Sequence, residues 1–235
     1  MTIHAPARDK ARTYVNPPSK PLALTTFLLL AAGVALWMNL RKPNRPVTTA
    51  PQEALAERAA IETSALLGGR GHVRLVSEKA DSPSALQAEH VSHLLQAQVA
   101  QARAFKEALR QKGPFTLAED WFLLRGPMTM DPAWTAGAFS NIVRDLPEGA
   151  AVVSFASLPP LSDEEVAVIR AKKIALVVVG QAPAELSRLL QDKTVRLAVV
   201  YRKSIPPNPA DKKESPQEWL ARVAEVLPAT ARPTP

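Results

Sequence analysis

His90 and His93 stand three residues apart in a stretch with helical periodicity, a spacing that could bring two imidazoles to one metal ion. Nothing nearby in the sequence completes such a site. The chain has no cysteine, Glu89 falls on a different side of the helix, and no Asp or third His follows at a ligand spacing. No metal site is expected. The missing cysteine also excludes disulfides, thiolate zinc sites, iron–sulfur clusters and cysteine nucleophiles. Ser, His and Asp all occur, but the Gly-x-Ser-x-Gly elbow that would expose a serine nucleophile does not. Gly68, Gly69 and Gly71 cluster without a following Lys-Ser or Lys-Thr, which reads as a helix stop and turn and not as a phosphate loop. No residues can be given catalytic roles and no cofactor is expected, so the chain reads as non-enzymatic.

What remains is a set of polar residues that end apolar runs: Glu78 with Lys79, Gly126 with Met128, Ser157, Gln181, and Tyr201 with Arg202 and Lys203. In an open parallel sheet ligands sit at the carboxyl ends of the strands, near the point where strand order reverses. Glu78, Ser157, Gln181, Tyr201 and Arg202 are therefore the candidate ligand face, for a small polar molecule. The same positions also read as ordinary loop residues. The set contains no carboxylate pair, and where a phosphorelay receiver would end its third strand on aspartate this chain has Ser157. A dinucleotide site is excluded by the missing Gly-x-Gly-x-x-Gly.

The elements that would position these residues alternate. His72–Ser77, Asp120–Arg125, Ala150–Ala156, Ile174–Val179 and Val195–Tyr201 read as strands. Thr116-x-x-Glu119 leaves residues 116–125 open between strand and helix. Helices are expected from Ser82-Pro83 to about Lys112, from Pro132 to about Leu146, from the capping box Ser162–Glu165 to about Lys172, over Pro183–Gln191, and from the second box Ser215–Glu218 to about Leu227. Ile174–Val179 is apolar on both faces, as in a sheet covered on both sides. Five strands and five helices predict an α/β fold with one doubly wound, mostly parallel five-stranded sheet over residues 72–227, Rossmann-like. A further helix, 52–67, connects to it, and 228–235 is expected to be a disordered tail.

On the long helix, Val91, Leu95, Gln98, Ala102, Phe105 and Leu109 follow a 4-3-4-3-4 spacing, one apolar stripe interrupted at Gln98. The stripe either packs on the sheet or, because about 45 Å of helix exceeds what a small sheet covers, offers Val91, Leu95, Phe105 and Leu109 to a partner.

The formal charge of +7 is concentrated. Residues 1–50 hold seven basic groups and one acid, and the remaining 185 residues hold 22 basic and 21 acidic groups. The folded part thus lacks the basic excess a phosphate-binding surface needs, and nucleic acid is not an expected partner. The basic groups bracket Pro21–Leu40, 20 residues without a charge, which as a helix span about 30 Å, the thickness of a bilayer's hydrocarbon core. Lys20, Trp37, Arg41 and Lys42 flank it as interfacial anchors toward lipid headgroups. The run is too long for a signal-peptide core and lacks a small-x-small cleavage site directly after it, so an uncleaved single-pass anchor is the expectation. It divides the chain into a basic tail (1–20), a transmembrane helix (21–40), a proline-rich linker (41–51) and the soluble part. With the short leading tail on the cytoplasmic side, the soluble part lies outside the cytoplasm, at the inner membrane.

DWFLLRGP, AGAFSNIVRDLP, AAVVSFASLPPL and IALVVVGQAPAELSRLLQDKTVRLAVVY together resemble one lobe of the periplasmic sugar-binding proteins of ABC transport, the type I periplasmic-binding-protein family, over about residues 72–227. The resemblance implies a binding lobe and a role in transport. It also implies sugar-binding positions, and there this chain departs from the pattern. Ser157 and Leu158 stand where the family has Asn-Asp, Ala182 beside Gln181 stands for its binding Asp, and Tyr201 stands for its late Gln. Trp134 and Thr135 fall where an Arg is often found. Without those polar partners a cleft loses its grip on sugar hydroxyls. Sequence and resemblance together predict a membrane-anchored accessory or scaffold subunit of a transporter or envelope complex. Its partners would be lipids and either other subunits or a second copy. The alternative is a membrane-tethered receptor for a sugar-like solute.

Overall fold

A computed structural model describes residues 49–83, 86, 89–125, 134, 137–180, 182–204 and 214–229. The tail, the apolar segment and all but the last three residues of the linker lie outside the described residues. The described ones belong to one unit, Val47–Pro235. Its elements are α1 (Ala50–Leu66), β1 (Gly71–Ala80), α2 (Glu89–Arg110), β2 (Phe115–Leu117), β3 (Trp121–Arg125), α3 (Ala138–Val143), β4 (Ala151–Ser154), α4 (Asp163–Ala171), β5 (Ala175–Gly180), α5 (Leu186–Gln191), β6 (Val195–Tyr201), α6 (Pro216–Val223) and β7 (Ala224–Pro228).

The sheet has seven strands, not the five expected. From β1 it runs through β4, β5 and β6 to β7, while β2 and β3 lie one after the other along the outer side of β1. All pairings are parallel except β6 with β7. The order reverses at β1: the chain first crosses outward to β2 and β3, then back over to β4, which puts the topological switch point between β1 and β4.

Two corrections account for the extra strands. Residues 115–125 form two short strands separated by a three-residue break, so Thr116 pairs with His72 in a ladder and caps no helix. The last helix stops at Val223 instead of continuing to Leu227, and Ala224–Pro228 turns back as an antiparallel edge strand on β6. Residues 219–227 have an amphipathic pattern that a helix could also use. What decides is tertiary: β6 is apolar on both faces and would otherwise be an uncovered edge. Pro228, which has no N–H to donate, ends that edge strand.

Helix α1 is a layer of the domain as well as a connection, with Leu55, Ala56, Ala59 and Ala60 fully buried. Together α1, α2 and α6 cover one face of the sheet over Val73, Leu75, Val153, Val177 and Val199. The other face packs under α3, α4 and α5 through Val76, Val152, Leu176, Val178 and Val200. Both capping boxes form: the Ser162 hydroxyl accepts from the Glu165 N–H at 3.2 Å and Ser215 from Glu218 at 3.3 Å. Glu165 also accepts from the Phe139 N–H at 3.2 Å, tying α4 to the start of α3.

The apolar stripe of α2 lies inside the fold. Val91, Phe105 and Leu109 are fully buried and Leu95 nearly so, and Phe105 meets Phe155 edge to face at 5.9 Å between centroids. These four residues are core, not a partner surface, which corrects the second reading of the stripe. Burying each ring or isobutyl group stabilises the fold by about 1.5–3 kcal/mol.

Candidate functional site

At the carboxyl end of β1, beside the point where an open α/β sheet would take a ligand, the polar groups of Glu78 are engaged by the protein itself. Strand β1 outruns β4: Val73–Val76 pairs with Ala151–Ser154, and Ser77–Ala80 pairs with β3 alone. On the side left unpaired, the Glu78 N–H is satisfied by Gln98 of α2, whose Oε1 accepts at 2.6 Å. The Glu78 carboxylate is itself buried and ion-paired to the Nε of buried Arg125. Glu78 and Arg125 lie on the same face of adjoining strands, two residues apart in register, which is what lets them meet.

The other described candidates sit elsewhere. Ser157 follows β4; its carbonyl accepts from the Trp134 indole N–H at 3.0 Å. It borders a cavity of about 200 Å³ with Pro159, Leu161, Pro183 and Glu185. Glu185 there is paired with Arg188. Tyr201 packs edge to face on Trp219 of α6 at 6.3 Å, and burial raises its hydroxyl pKa. The Arg202 N–H donates to the Val223 carbonyl at 2.8 Å, and its guanidinium faces Glu225 at 3.9 Å. Arg202 borders a separate cavity of about 530 Å³ between α1, α6 and β7. Three strand spacings of about 4.8 Å separate β1 from β6, so Glu78 and Arg202 are about 14 Å apart across the sheet. The single ligand face expected from the sequence therefore divides into separate places. Gln181, Gly126 and Met128 lie outside the described residues, as do the interfacial Lys20, Trp37, Arg41 and Lys42. Of the histidine pair, His93 is exposed on α2. Among the described residues no three His, Cys, Asp or Glu side chains gather as a metal site would require, and no helix is long and apolar enough to cross a membrane.

Two features escaped the sequence reading. Arg74, in the middle of β1, is buried and forks onto Asp145 with bonds of 2.8 and 2.9 Å, and it also donates to the Ile142 and Glu119 carbonyls at 2.6 and 3.1 Å. It clamps the start of α3's exit turn to the sheet. The Asp145 carboxyl, held by that guanidinium, is lowered from 3.8 to about 2. A charge inside an otherwise apolar strand (HVRLVS) was the available signal.

The second feature is an exposed apolar face. Phe122 and Leu124 of β3 are 49% and 52% exposed, and on the same side, on or before α2, stand Leu86 at 52% and Val99 at 69%. Two cavities, of about 580 and 400 Å³, share Leu86, Leu95 and Val99 and run along this side. Isolated exposed leucines are ordinary, but large apolar side chains gathered on one side mark an interaction site.

No protein-family model matches this chain, and no curated protein does. Solved structures do match. XylFII, in its XylFII–LytSN complex, aligns at 10% identity and a TM-score of 0.43, over 63% of this chain and 48% of its own. An ABC-transporter solute-binding protein from Agrobacterium vitis, bound with alpha-D-tagatopyranose, aligns at 16% identity and a TM-score of 0.43, over 64% of this chain and 45% of its own. AraP, an arabinose-binding protein from Geobacillus stearothermophilus, gives 16% and 0.43, over 63% and 45%. This chain spans about half the length of the structures it matches. At such identities the likeness concerns the course of the chain alone.

Proposed function

We propose that this protein is a non-enzymatic, membrane-anchored accessory subunit whose α/β domain works as a protein-interaction module outside the cytoplasm. The observation that carries the reading is the contrast between two sides of the same strands. The polar groups at the end of β1 neutralise each other in the interior, while Phe122, Leu124 and Val99 stand in solvent. A solute-binding cleft needs the opposite arrangement, with convergent polar groups open to a ligand and apolar groups shielded. The anchor rests on uncharged Pro21–Leu40 between basic flanks. The flanking Lys20, Arg41 and Lys42 would hold anionic headgroups, each contributing about 1 kcal/mol.

The alternative, a tethered receptor for a sugar-like solute, draws on the cavity beside Ser157 at the ends of β4 and β5. Of two measurements on the full chain, the first tests the anchor that both readings share and the second separates them. Wild-type protein expressed in bacteria is expected to resist alkaline carbonate extraction from membranes, and Leu29→Arg with Ala32→Arg is expected to release it, since each charge at the bilayer centre costs about 3 kcal/mol. The melting temperature is expected to stay flat across a panel of sugars, amino acids and nucleosides. Carbonate-soluble wild type overturns the anchor. A saturable rise in melting temperature moves the assignment to a receptor, because a ligand that binds only the native state stabilises it.

A further inference from the structure

The geometry points to a second copy of this chain as the occupant of the apolar face, joined edge to edge through β3. The inference deepens the interaction-module reading and rests on it only in taking this face to be covered.

The sheet ends in two edges of opposite character. On one, β7 carries Glu225 facing Arg202 and closes on Pro228, devices that discourage a further strand. On the other, β3 reads Trp-Phe-Leu-Leu-Arg, without proline, lysine or bulge, and no described strand pairs on its outer side. The direction of its free backbone groups follows from one bond. The Arg125 carbonyl accepts from the Asp81 N–H at 3.1 Å, so it points toward β1. In a pleated strand residues two apart point the same way, so Trp121, Leu123 and Arg125 face β1, and the N–H and C=O groups of Phe122 and Leu124 face outward.

Those outward groups make β3 its own complement. An antiparallel copy centred on Leu123 sets Phe122 opposite the partner's Leu124 and Leu124 opposite the partner's Phe122. Each pair exchanges two backbone hydrogen bonds, so four bonds close across a twofold axis. The same register brings the exposed Phe122 and Leu124 side chains of both copies together on one face, the α2 side. On the other face it puts Trp121 opposite the partner's Arg125, whose charge Glu78 already balances. Charge does not oppose the contact. Asp120 beside the strand is paired with Lys106 at 2.5 Å, and residues 51–235 hold 22 basic against 21 acidic groups.

The chain's lack of cysteine permits a direct test on full-length protein in mild detergent. Opposed residues in a hydrogen-bonded antiparallel pair have Cα atoms about 5.5 Å apart, within disulfide reach, while 122 and its own symmetry mate are about 8 Å apart, beyond it. Chains carrying Phe122→Cys mixed with chains carrying Leu124→Cys are expected to form a disulfide-linked dimer under mild oxidation. Either variant oxidised alone is expected to remain largely unlinked. Light scattering is expected to give twice the chain mass for wild type and the single mass for Leu124→Lys, an exposed substitution that should leave the far-ultraviolet spectrum unchanged. A wild type that stays monomeric at tens of micromolar, a Leu124→Lys dimer, or cross-links that favour either variant alone overturns the proposal. A monomer that still resists carbonate extraction removes the twofold contact and leaves the anchored module standing, whereas a dimer that carbonate releases does the reverse.

Discussion

The Gln98 side-chain oxygen accepts a hydrogen bond from the Glu78 backbone N–H at 2.6 Å, and both residues are buried. This bond explains the one polar position in the apolar stripe of α2. Strand β1 runs beyond its neighbour β4, and the Glu78 N–H, the first past Val76 to point to that side, would otherwise be shut away from water without a partner. Replacing Gln98 by Leu is expected to destabilise the domain by about 1–3 kcal/mol, the cost of stranding a buried donor, although the new side chain suits a core position better. Urea unfolding followed by circular dichroism checks it. An unchanged midpoint would show that water reaches the site.

Glu78 and Arg125 form a buried pair whose value lies in its completeness. Removing one partner leaves the other charge in the interior, so Arg125→Met is expected to cost about 3–5 kcal/mol. The double variant Glu78→Leu with Arg125→Met removes both charges together. It is expected to unfold at a midpoint close to wild type, recovering most of that loss. A double variant no more stable than the single one would mean that Arg125 acts chiefly through contacts other than Glu78.

Local signals carried much of the architecture. Ser162–Glu165 and Ser215–Glu218 announce their helices because a capping box is complete within four residues. Val195–Tyr201 reads as a strand because its apolar run is short, β-branched and bounded by turns. What stayed hidden depends on residues far apart in sequence. Ala224–Pro228 is a strand because β6 needs an edge, not because Ala-Glu-Val-Leu prefers one. Glu78 looked like a ligand group because nothing within the first strand reveals that Arg125, 47 residues on, lies against it. Nothing in the sequence marks Phe122 and Leu124 as exposed, since DWFLLR shows only that the strand is apolar and not that one of its faces lies beyond the helix that should cover it.

The Arg74–Asp145 clamp predicts an acid limb in the stability curve. The carboxyl titrates at about 2 in the folded protein against an ordinary 3.8, chiefly because the Arg74 guanidinium hydrogen-bonds its charged form. A depressed folded pKa means that the contribution is complete above about pH 4 and is lost as the pH falls toward 2. Urea midpoints measured from pH 5 to pH 2 are expected to fall more steeply for wild type than for Asp145→Asn, with the two curves converging at the acid end. Parallel curves over that window would show that Asp145 titrates normally and that the clamp is held by the Ile142 and Glu119 carbonyls.

Gly113 marks where two turns touch. It follows α2, and a Cβ built on it would run into the Gly69 carbonyl oxygen in the turn between α1 and β1. Because the obstructing atom is backbone, no side chain can move aside. Alanine there must push the α1–β1 turn away from the turn that starts β2, disturbing the ladder that pairs Gly71 with Phe115. Gly113→Ala is expected to lower stability by about 1–3 kcal/mol, in the range of overpacked sites. Hydrogen exchange should localise the loss, with faster exchange at β2 and the first residues of β1 while β5 and β6 keep their protection. Uniformly faster exchange across the sheet would mean that the contact acts on the whole domain rather than on this edge.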